Sequence, residues 1–204
     1  MPITKLGILA SNYGSNLQAI IDACDSGRIE GEVSVVISNN SDSMALKRAD
    51  HKNIPNFHIS NQTHSDFFLQ DTAIKKILSD HKVTLVILAG YMKKLGPLVL
   101  NHFKGRIINI HPSLLPKYGG KGMYGTFVHQ EVIKSKEKFT GISIHIVEGE
   151  YDLGPIIAQI KVPISIDETA ESLSKKISNI EHKFYVETIQ QIIKGEIEMK
   201  NYYK

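Results

Sequence analysis

Short apolar segments that alternate with longer helical segments constrain the fold of this sequence most strongly. The apolar runs, rich in β-branched residues, are Leu6–Ala10, Val33–Ser38, Leu85–Ala89 and Ile107–Ile110. Such runs are typical of parallel strands that are buried on both faces. The segments with helical periodicity between them are Asn16–Ser26, Met44–His51 and Ser65–His81. This order predicts an α/β fold in which helices cover both faces of a doubly wound, mostly parallel sheet.

The second half of the chain has a different pattern. Polar and apolar residues alternate over Ile142–Ile146, and the turn-rich segment Gly149–Gly154 leads to a further apolar run, Ile156–Val162. This pattern predicts a C-terminal antiparallel hairpin that extends the sheet. We expect the last helix to begin near Thr169, after two acidic residues that favour a helix N-terminus. Its helical spacing predicts a buried seam of Leu173, Ile177, Ile180 and Phe184.

Composition and charge limit the kinds of partner. The 204 residues are 42% hydrophobic and 22% charged, which predicts one ordinary domain over residues 1–204. The net charge of +3 is spread without a dense basic cluster, so the expected ligand is an anionic small molecule rather than a nucleic acid. The basic run Lys134–Lys138 contains Glu137 and is interpreted as a solvated helix end. A monomer and a homodimer are both compatible with the sequence.

The cysteine content and the N-terminal segment bear on the compartment. Cys24 is the only cysteine, so an intrachain disulfide is excluded and a reducing compartment fits. The apolar run that follows Met1 and Lys5 is too short for a signal-peptide core or a membrane span. We therefore expect a cytoplasmic protein that does not bind a membrane.

The first candidate site is the turn Ser11–Asn16, between the first predicted strand and helix. A glycine turn before a helix leaves backbone N–H groups unpaired at the positive end of the helix dipole, where a phosphate can bind. Ser15 and Asn16 add side-chain donors, although either residue could instead cap the helix. Gly14 is the only glycine there, so the turn lacks the spacing of a dinucleotide-binding motif.

The second candidate is the end of the strand that contains Asn109 and His111. Alternation along a strand places these two side chains on the same side, and Pro112 restricts His111 to an extended backbone. An amide donor beside an imidazole suits the stabilisation of an oxyanion, whereas the alternative is a structural pair that anchors the next loop. The glycine-rich loop His111–Gly125 follows, and α/β proteins bind ligands at the carboxyl ends of strands.

The third candidate is Asp152, in the predicted hairpin connection. Its carboxylate can reach back to the strand ends and raise the pKa of an imidazole there, although Asp is also an ordinary turn residue. His145 is interpreted as a packed, hydrogen-bonded residue of its strand. The histidines lack carboxylate or thiolate partners at ligand spacing, so no metal site is predicted.

Together these segments resemble the phosphoribosylglycinamide formyltransferases, a folate-dependent family of purine biosynthesis. The matching residues are Gly14–Ile20, Leu88–Met92, Asn109–Tyr118, Asp152–Pro155 and the pair Glu181 and His182. The resemblance covers essentially the whole chain. It implies a Rossmann-like formyltransferase fold with a phosphate-binding half at about 1–100 and a catalytic, folate-binding half at about 101–204.

The resemblance also implies the reaction and the residues of the site. The reaction transfers the formyl group of 10-formyltetrahydrofolate, a co-substrate, to the amine of 5-phosphoribosylglycinamide, without a metal. The implied catalytic residues are Asn109, His111 and Asp152, with Asp152 holding His111 protonated. The implied acceptor-binding residues are Gly14, Ser15, Asn16, Ser178, Asn179, Ile180 and Glu181. The implied donor-binding residues are Met92, Lys93, Lys94, Leu95, Asn109, Glu148, Gly149, Glu150, Tyr151 and Asp152.

Some positions depart from the family pattern, and other functions remain open. Phe67 aligns with a folate-contacting Arg, Lys93 replaces a frequent Arg, and Lys117–Gly125 differs from the commoner loop sequence. A formyltransferase that acts on an amino-sugar nucleotide is the nearest alternative. A formyltetrahydrofolate hydrolase and a methionyl-tRNA formyltransferase are disfavoured because they usually carry a further domain. A non-catalytic nucleotide-binding protein is the alternative from another class.

Overall fold

The computed structural model describes residues 3–202, so the predicted domain limits, Met1 and Lys204, lie outside the described residues. The strands are β1 (Thr4–Leu9), β2 (Gly31–Ser38), β3 (Asn56–His58), β4 (Leu85–Leu88), β5 (Ile107–His111), β6 (Phe139–Ile146) and β7 (Ile156–Pro163). The helices are α1 (Ser15–Asp25), α2 (Met44–His51), α3 (Phe67–Asp80), α4 (Pro97–His102), α5 (Thr126–Lys134) and α6 (Ala170–Ile193), followed by a 3-10 turn at Met199–Tyr202. None of the helices between residues 3 and 202 combines the length and hydropathy that a bilayer-spanning segment requires.

The strands form one sheet in the order β3-β2-β1-β4-β5-β6-β7. The first five strands pair in parallel, whereas β6 is antiparallel to both β5 and β7. The predicted doubly wound, mostly parallel sheet with a C-terminal antiparallel hairpin is therefore confirmed. The edge strand β3 was not predicted, because three residues are too few for a periodic pattern to be recognised.

Two hydrophobic clusters cover the two faces of the sheet. Alternate residues of β4 divide between them: Leu85 and Ile87 join the cluster beneath α1, α2 and α6, whereas Val86 and Leu88 join the one beneath α3 and α4. All four residues of β4 are buried. The continuous apolar runs thus reflect burial on both faces, as expected for central parallel strands.

The buried stripe of α6 differs from the predicted seam. Leu173, Ile177, Tyr185 and Ile189 are fully buried, whereas the predicted Ile180 and Phe184 are only partly buried. The buried residues recur in steps of four, and Glu181 occupies the position on this stripe between Ile177 and Tyr185. Positions four apart lie on the same side of a helix, so the stripe directs the Glu181 carboxylate toward the sheet.

Tyr185 fixes this helix against the strands that carry the candidate site. Its buried hydroxyl lies 3.1 Å from the carbonyl oxygen of Leu88 and 3.3 Å from that of Ile108. These carbonyls belong to β4 and β5. Tyr185 therefore holds α6 against both strands, at the carboxyl end of β4 and the second residue of β5.

The polar face of β6 is buried rather than solvated. Period-two alternation usually indicates a strand with one face in water. Here the Ser143 hydroxyl donates to the carbonyl oxygen of Ser113 at 2.7 Å and accepts from the backbone N–H of Leu115 at 3.0 Å. The loop after β5 therefore folds back over β6, and its backbone satisfies the polar side chain that it covers.

Candidate active site

A cavity of about 840 Å³ opens at the carboxyl ends of β1, β4 and β5. Its walls are formed by residues 12–16, 89–92, 109–112, 120–126 and 151–152, together with His129, Ser174, Ser178 and Glu181. Each segment follows a strand or belongs to a helix packed against the sheet. The carboxyl ends of parallel strands are the usual ligand sites of α/β proteins.

Asp152 lies at the centre of a polar cluster on the cavity wall. Its Oδ2 accepts a hydrogen bond from the backbone N–H of Gly120 at 2.9 Å and lies 3.4 Å from Nδ1 of His111. Its Oδ1 lies 3.3 Å from Nε2 of His145 and 3.4 Å from Nδ2 of Asn109. The structure thus brings together Asn109, His111 and Asp152, which are far apart in the sequence.

The surroundings of Asp152 favour its ionised form. Burial alone would raise the pKa of this carboxyl group. The contact with His145, the charge of His111 and the N–H of Gly120 outweigh burial and lower the pKa below its ordinary value. Asp152 is therefore a carboxylate at neutral pH.

His111 has a hydrogen-bond acceptor near each ring nitrogen. Nε2 lies 2.7 Å from the carbonyl oxygen of Tyr118, and Nδ1 faces Asp152. Burial nevertheless lowers the pKa of His111 below its ordinary value, although Asp152 and the Tyr118 carbonyl oppose it. Burial therefore acts against the expectation that Asp152 holds His111 protonated, because it removes the water that stabilises an imidazolium, whereas the two acceptors act in its favour.

The glycines of the loop allow its backbone to approach Asp152 closely. A Cβ atom on Gly119 would lie 2.4 Å from a methyl group of Leu115 and 3.2 Å from Cβ of Asp152. The next residue, Gly120, has φ +94° and directs its N–H at the carboxylate. A side chain at Gly119 would therefore separate the loop from the cluster, whereas one at Gly120 would strain the left-handed backbone.

His145 is a member of the cluster that sequence reasoning did not identify. It is packed and hydrogen-bonded, as interpreted, but its partners include Asn109, which lies directly opposite it in the β5–β6 pairing. Nδ1 of His145 lies 2.9 Å from the carbonyl oxygen of Ile146. Nε2 of His145 lies 3.1 Å from Nδ2 of Asn109 and 3.3 Å from Oδ1 of Asp152, so the ring contacts two of the three predicted catalytic residues. The sequence signal was a histidine among the alternating polar residues of a predicted strand.

His129 of α5 was also missed. It lines the cavity and is 4% exposed. Burial and the charge of His111 lower its pKa to about 4, so the ring is neutral at physiological pH. Nothing in its sequence neighbourhood distinguishes it from a core residue.

The turn before α1 has the geometry of an anion site. Gly14 is the N-cap with φ +65°, and no side chain within residues 3–202 caps the helix. The alternative that Ser15 or Asn16 caps α1 is therefore wrong, and the turn and the first residues of the helix line the cavity. The Oδ1 atom of Asn16 is buried without a hydrogen-bond partner among the described residues.

Helix α2 supports this turn from behind. The backbone N–H of Ala45 donates to the carbonyl oxygen of Asn12 at 3.1 Å, and Nε of Arg48 donates to that of Tyr13 at 3.0 Å. A Cβ atom on Gly14 would lie 3.0 Å from both Cα and Cβ of Ala45. The turn is thus held in place by α2, and glycine is required for that close approach.

Two of the four predicted residues of α6 line the cavity. Ser178 and Glu181 do so, whereas Asn179 is exposed and Ile180 packs against the core. Burial raises the pKa of Glu181 to about 7. Its carboxyl group is therefore close to half-protonated at neutral pH.

The predicted donor-binding segments contribute unequally to the cavity. Of the ten predicted residues, four line it: Met92, Asn109, Tyr151 and Asp152. Leu95 is buried in the core, whereas Lys93, Lys94, Glu148, Gly149 and Glu150 lie outside the lining. Nζ of Lys94 and Oε1 of Glu150 form an ion pair at 2.7 Å that joins the two segments.

Phe67, which the sequence aligned with a folate-contacting Arg, is the first residue of α3. It is half-exposed and is not part of the cavity wall. No cluster of potential metal ligands occurs in the part of the chain from residue 3 to residue 202.

Comparisons with known proteins agree with this architecture. Residues 4–189 match the family described as formyl transferase. A phosphoribosylglycinamide formyltransferase of Haemophilus influenzae is 38% identical over 97% of this chain and 91% of that relative. The Escherichia coli enzyme of the same name is 34% identical over 94% of this chain and 88% of that relative.

A solved structure shares the whole fold. The crystal structure of glycinamide ribonucleotide transformylase 1 from Symbiobacterium toebii superposes with a TM-score of 0.88. It is 37% identical in sequence, and the superposition covers 95% of this chain and 89% of that one. The chain therefore belongs to the formyl transferase family and, within it, to the phosphoribosylglycinamide formyltransferases.

Proposed function

We propose that this enzyme transfers the formyl group of 10-formyltetrahydrofolate to the amine of 5-phosphoribosylglycinamide. The products are formylglycinamide ribonucleotide and tetrahydrofolate, in a step of purine biosynthesis. The observation that carries the proposal is one cavity with the Asn109–His111–Asp152 cluster on one wall and the uncapped N-terminus of α1 on another. The names of the relatives support the same reaction.

The acceptor substrate fits the side of the cavity formed by α1 and α6. Its phosphate would bind the N–H groups that follow Gly14, where the helix dipole and the Ser15 hydroxyl favour an anion. Its amine would lie near Glu181, because a carboxyl group with a pKa near 7 can accept a hydrogen bond or a proton from an amine. Ser178 lies one turn before Glu181 on the same wall and would contact the ribose.

The formyl donor fits the other end of the cavity. Tyr91, Met92 and Tyr151 give that end aromatic and apolar surface suited to a flat pterin ring. Lys93 and Lys94 lie beyond it, where their charges would attract the carboxylates of a folate. When bound, the donor supplies an activated formyl carbon, so no covalent intermediate with the enzyme is required.

The cluster is arranged to stabilise the charge that develops when the amine attacks the formyl carbon. Nδ2 of Asn109 carries two hydrogens and lies 3.1 Å from Nε2 of His145, whereas its hydrogen bond to Asp152 is long, at 3.4 Å. The hydrogen of this long contact would turn to the formyl oxygen as that atom becomes an oxyanion. The amine proton would pass through water to the leaving nitrogen, beside the His111 ring that Asp152 and the Tyr118 carbonyl oxygen hold in place.

The proposal can be tested by following the folate product by absorbance with three acceptors. These are 5-phosphoribosylglycinamide, the same compound without its phosphate, and an amino-sugar nucleotide. We expect turnover with the first and a large rise in KM without the phosphate. Turnover with the amino-sugar nucleotide alone would overturn the acceptor assignment. Absence of transfer to all three would indicate a binding protein.

We also propose that the enzyme acts in the cytoplasm on small-molecule substrates. Its single cysteine is compatible with a reducing compartment, and its mild net charge does not favour nucleic acid.

A further inference from the structure

Glu137 follows α5 and contacts the loop that covers the candidate site. Its Oε1 accepts hydrogen bonds from Nζ of Lys117 at 2.9 Å and from the hydroxyl of Tyr118 at 3.0 Å. The Glu137 side chain is 28% exposed. The interpretation of Lys134–Lys138 as a solvated helix end therefore accounts for the lysines of this run but not for Glu137.

The segment Lys117–Gly120 reaches both members of the acid–base pair. The carbonyl oxygen of Tyr118 lies 2.7 Å from Nε2 of His111, and the N–H of Gly120 donates to Oδ2 of Asp152 at 2.9 Å. A displacement of this short segment would therefore change the hydrogen bonds of both catalytic side chains together.

The conformation of this segment requires support from its neighbours. Tyr118 has φ +58°, in the left-handed region, which is unfavourable for a bulky aromatic residue. Relaxation of that angle would rotate the Tyr118 carbonyl away from His111. Two contacts oppose relaxation: the Tyr118 hydroxyl bonds to Glu137, and the Ser113 hydroxyl donates to the carbonyl oxygen of Lys117 at 2.7 Å.

We propose that Glu137 is a positioning residue for the His111–Asp152 pair, because it holds the segment Lys117–Gly120 in place. The inference rests on the proposed function of the site. Glu137 lies on the outer side of the loop and contacts the reacting groups only through Lys117 and Tyr118. Its loss should therefore affect kcat more than the binding of the acceptor.

The test is a kinetic and spectroscopic comparison of Glu137→Ala with the wild type. We expect kcat to fall at least about tenfold and KM for 5-phosphoribosylglycinamide to change by less than about twofold, because small displacements of reacting groups slow catalysis strongly. The pKa of the His111 ring, followed by NMR, should fall further, because the ring loses the acceptor at Nε2. Glu131→Ala is the matched control, since Glu131 pairs with Lys134 at 3.2 Å on the same helix and does not contact the loop.

Further variants keep the inference open to refutation. Tyr118→Phe removes the hydrogen bond between Tyr118 and Glu137 by changing the loop residue, and it should also lower kcat. Glu137→Gln keeps a hydrogen-bond acceptor, so its kcat should lie between those of Glu137→Ala and the wild type. If Glu137→Ala does not fold, the kcat and the His111 titration of Tyr118→Phe test the inference. A kcat and a His111 titration equal to those of Glu131→Ala would overturn the inference. If the wild type transfers no formyl group, the proposed function fails, yet the His111 titration still tests the role of Glu137.

Discussion

Oδ2 of Asp152 lies 3.4 Å from Nδ1 of His111, and the pKa of each group is lowered in this shared environment. The polar contacts of Asp152 outweigh its burial, whereas burial of His111 outweighs its contacts with Asp152 and the Tyr118 carbonyl oxygen. A carboxylate beside a buried imidazole stabilises that ring whenever it carries a proton. The pair is thus arranged so that the charge of Asp152 offsets the cost of burying a proton on His111.

Replacing Asp152 with Asn should reduce kcat by at least about 100-fold while KM for both substrates changes little. The amide keeps the size of the side chain but cannot stabilise a protonated His111. Folate-product absorbance at saturating substrate measures the effect. Asp80→Asn, at an exposed ion pair with Lys76, is the control. Near-normal turnover of Asp152→Asn would contradict the assigned role.

The stability of the wild type relative to Glu181→Gln should fall as the pH rises. Burial raises the Glu181 pKa from 4.5 to about 7, so the folded state holds a proton that the unfolded state releases between these values. Below pH 4.5 both states are protonated and no penalty applies. Above pH 7 the ionised Glu181 lowers the free energy of unfolding by at most about 3 kcal/mol. Water in the cavity solvates the carboxylate and makes this loss smaller. Urea unfolding of both proteins at pH 5 and pH 8 measures it, and a pH-independent difference would contradict the burial of this carboxylate.

Gly14→Ala should weaken acceptor binding, and Gly27→Ala provides a matched control. Both glycines have left-handed φ angles, +65° and +72°, so each substitution should cost about 1–2 kcal/mol of stability. An added Cβ atom on Gly14 would also lie 3.0 Å from Ala45, whereas one on Gly27 would have no neighbour within 4 Å. We expect KM for 5-phosphoribosylglycinamide to rise at least about tenfold for Gly14→Ala alone, because the phosphate-binding turn is displaced. Equal KM values for the two variants would exclude this turn as the phosphate site.

Reversing the charge of Lys94 should raise KM for the formyl donor, and exchanging both charges with Glu150 should restore it. The pair joins the two predicted donor-binding segments, and Lys94→Glu would make these segments repel each other. The stability change should stay below about 1 kcal/mol, because the pair is solvent-exposed. Steady-state kinetics with Lys94→Glu and with Lys94→Glu/Glu150→Lys measure the effect. Lys76→Glu/Asp80→Lys on α3 controls for surface charge.

Local sequence patterns predicted six of the seven strands, four of the six α-helices of the described residues and the position of the candidate site at the strand ends. Continuous apolar runs such as Leu85–Ala89 require burial on both faces, and helical periodicity between such runs requires helices to cover them. The turn at Gly14 and the loop after Asn109 could be placed because they follow such strands. Strands, helices and the turns between them depend mainly on residues that are close in the sequence, so a local pattern can predict them.

The tertiary structure alone decided which polar side chains meet and what their charges are. His145 joins Asn109 because β6 pairs with β5 in one particular register, and Glu181 lies on the cavity wall because α6 crosses the sheet on the stripe that contains Tyr185. The His111 pKa depends on burial by a loop, which no local pattern describes. The sequence alone thus determined the fold class and the strand ends at which the candidate site was expected. Hydrogen bonding and desolvation depend on distances between segments that are remote in sequence, so only the packed structure decided the contacts and the pKa directions of the site.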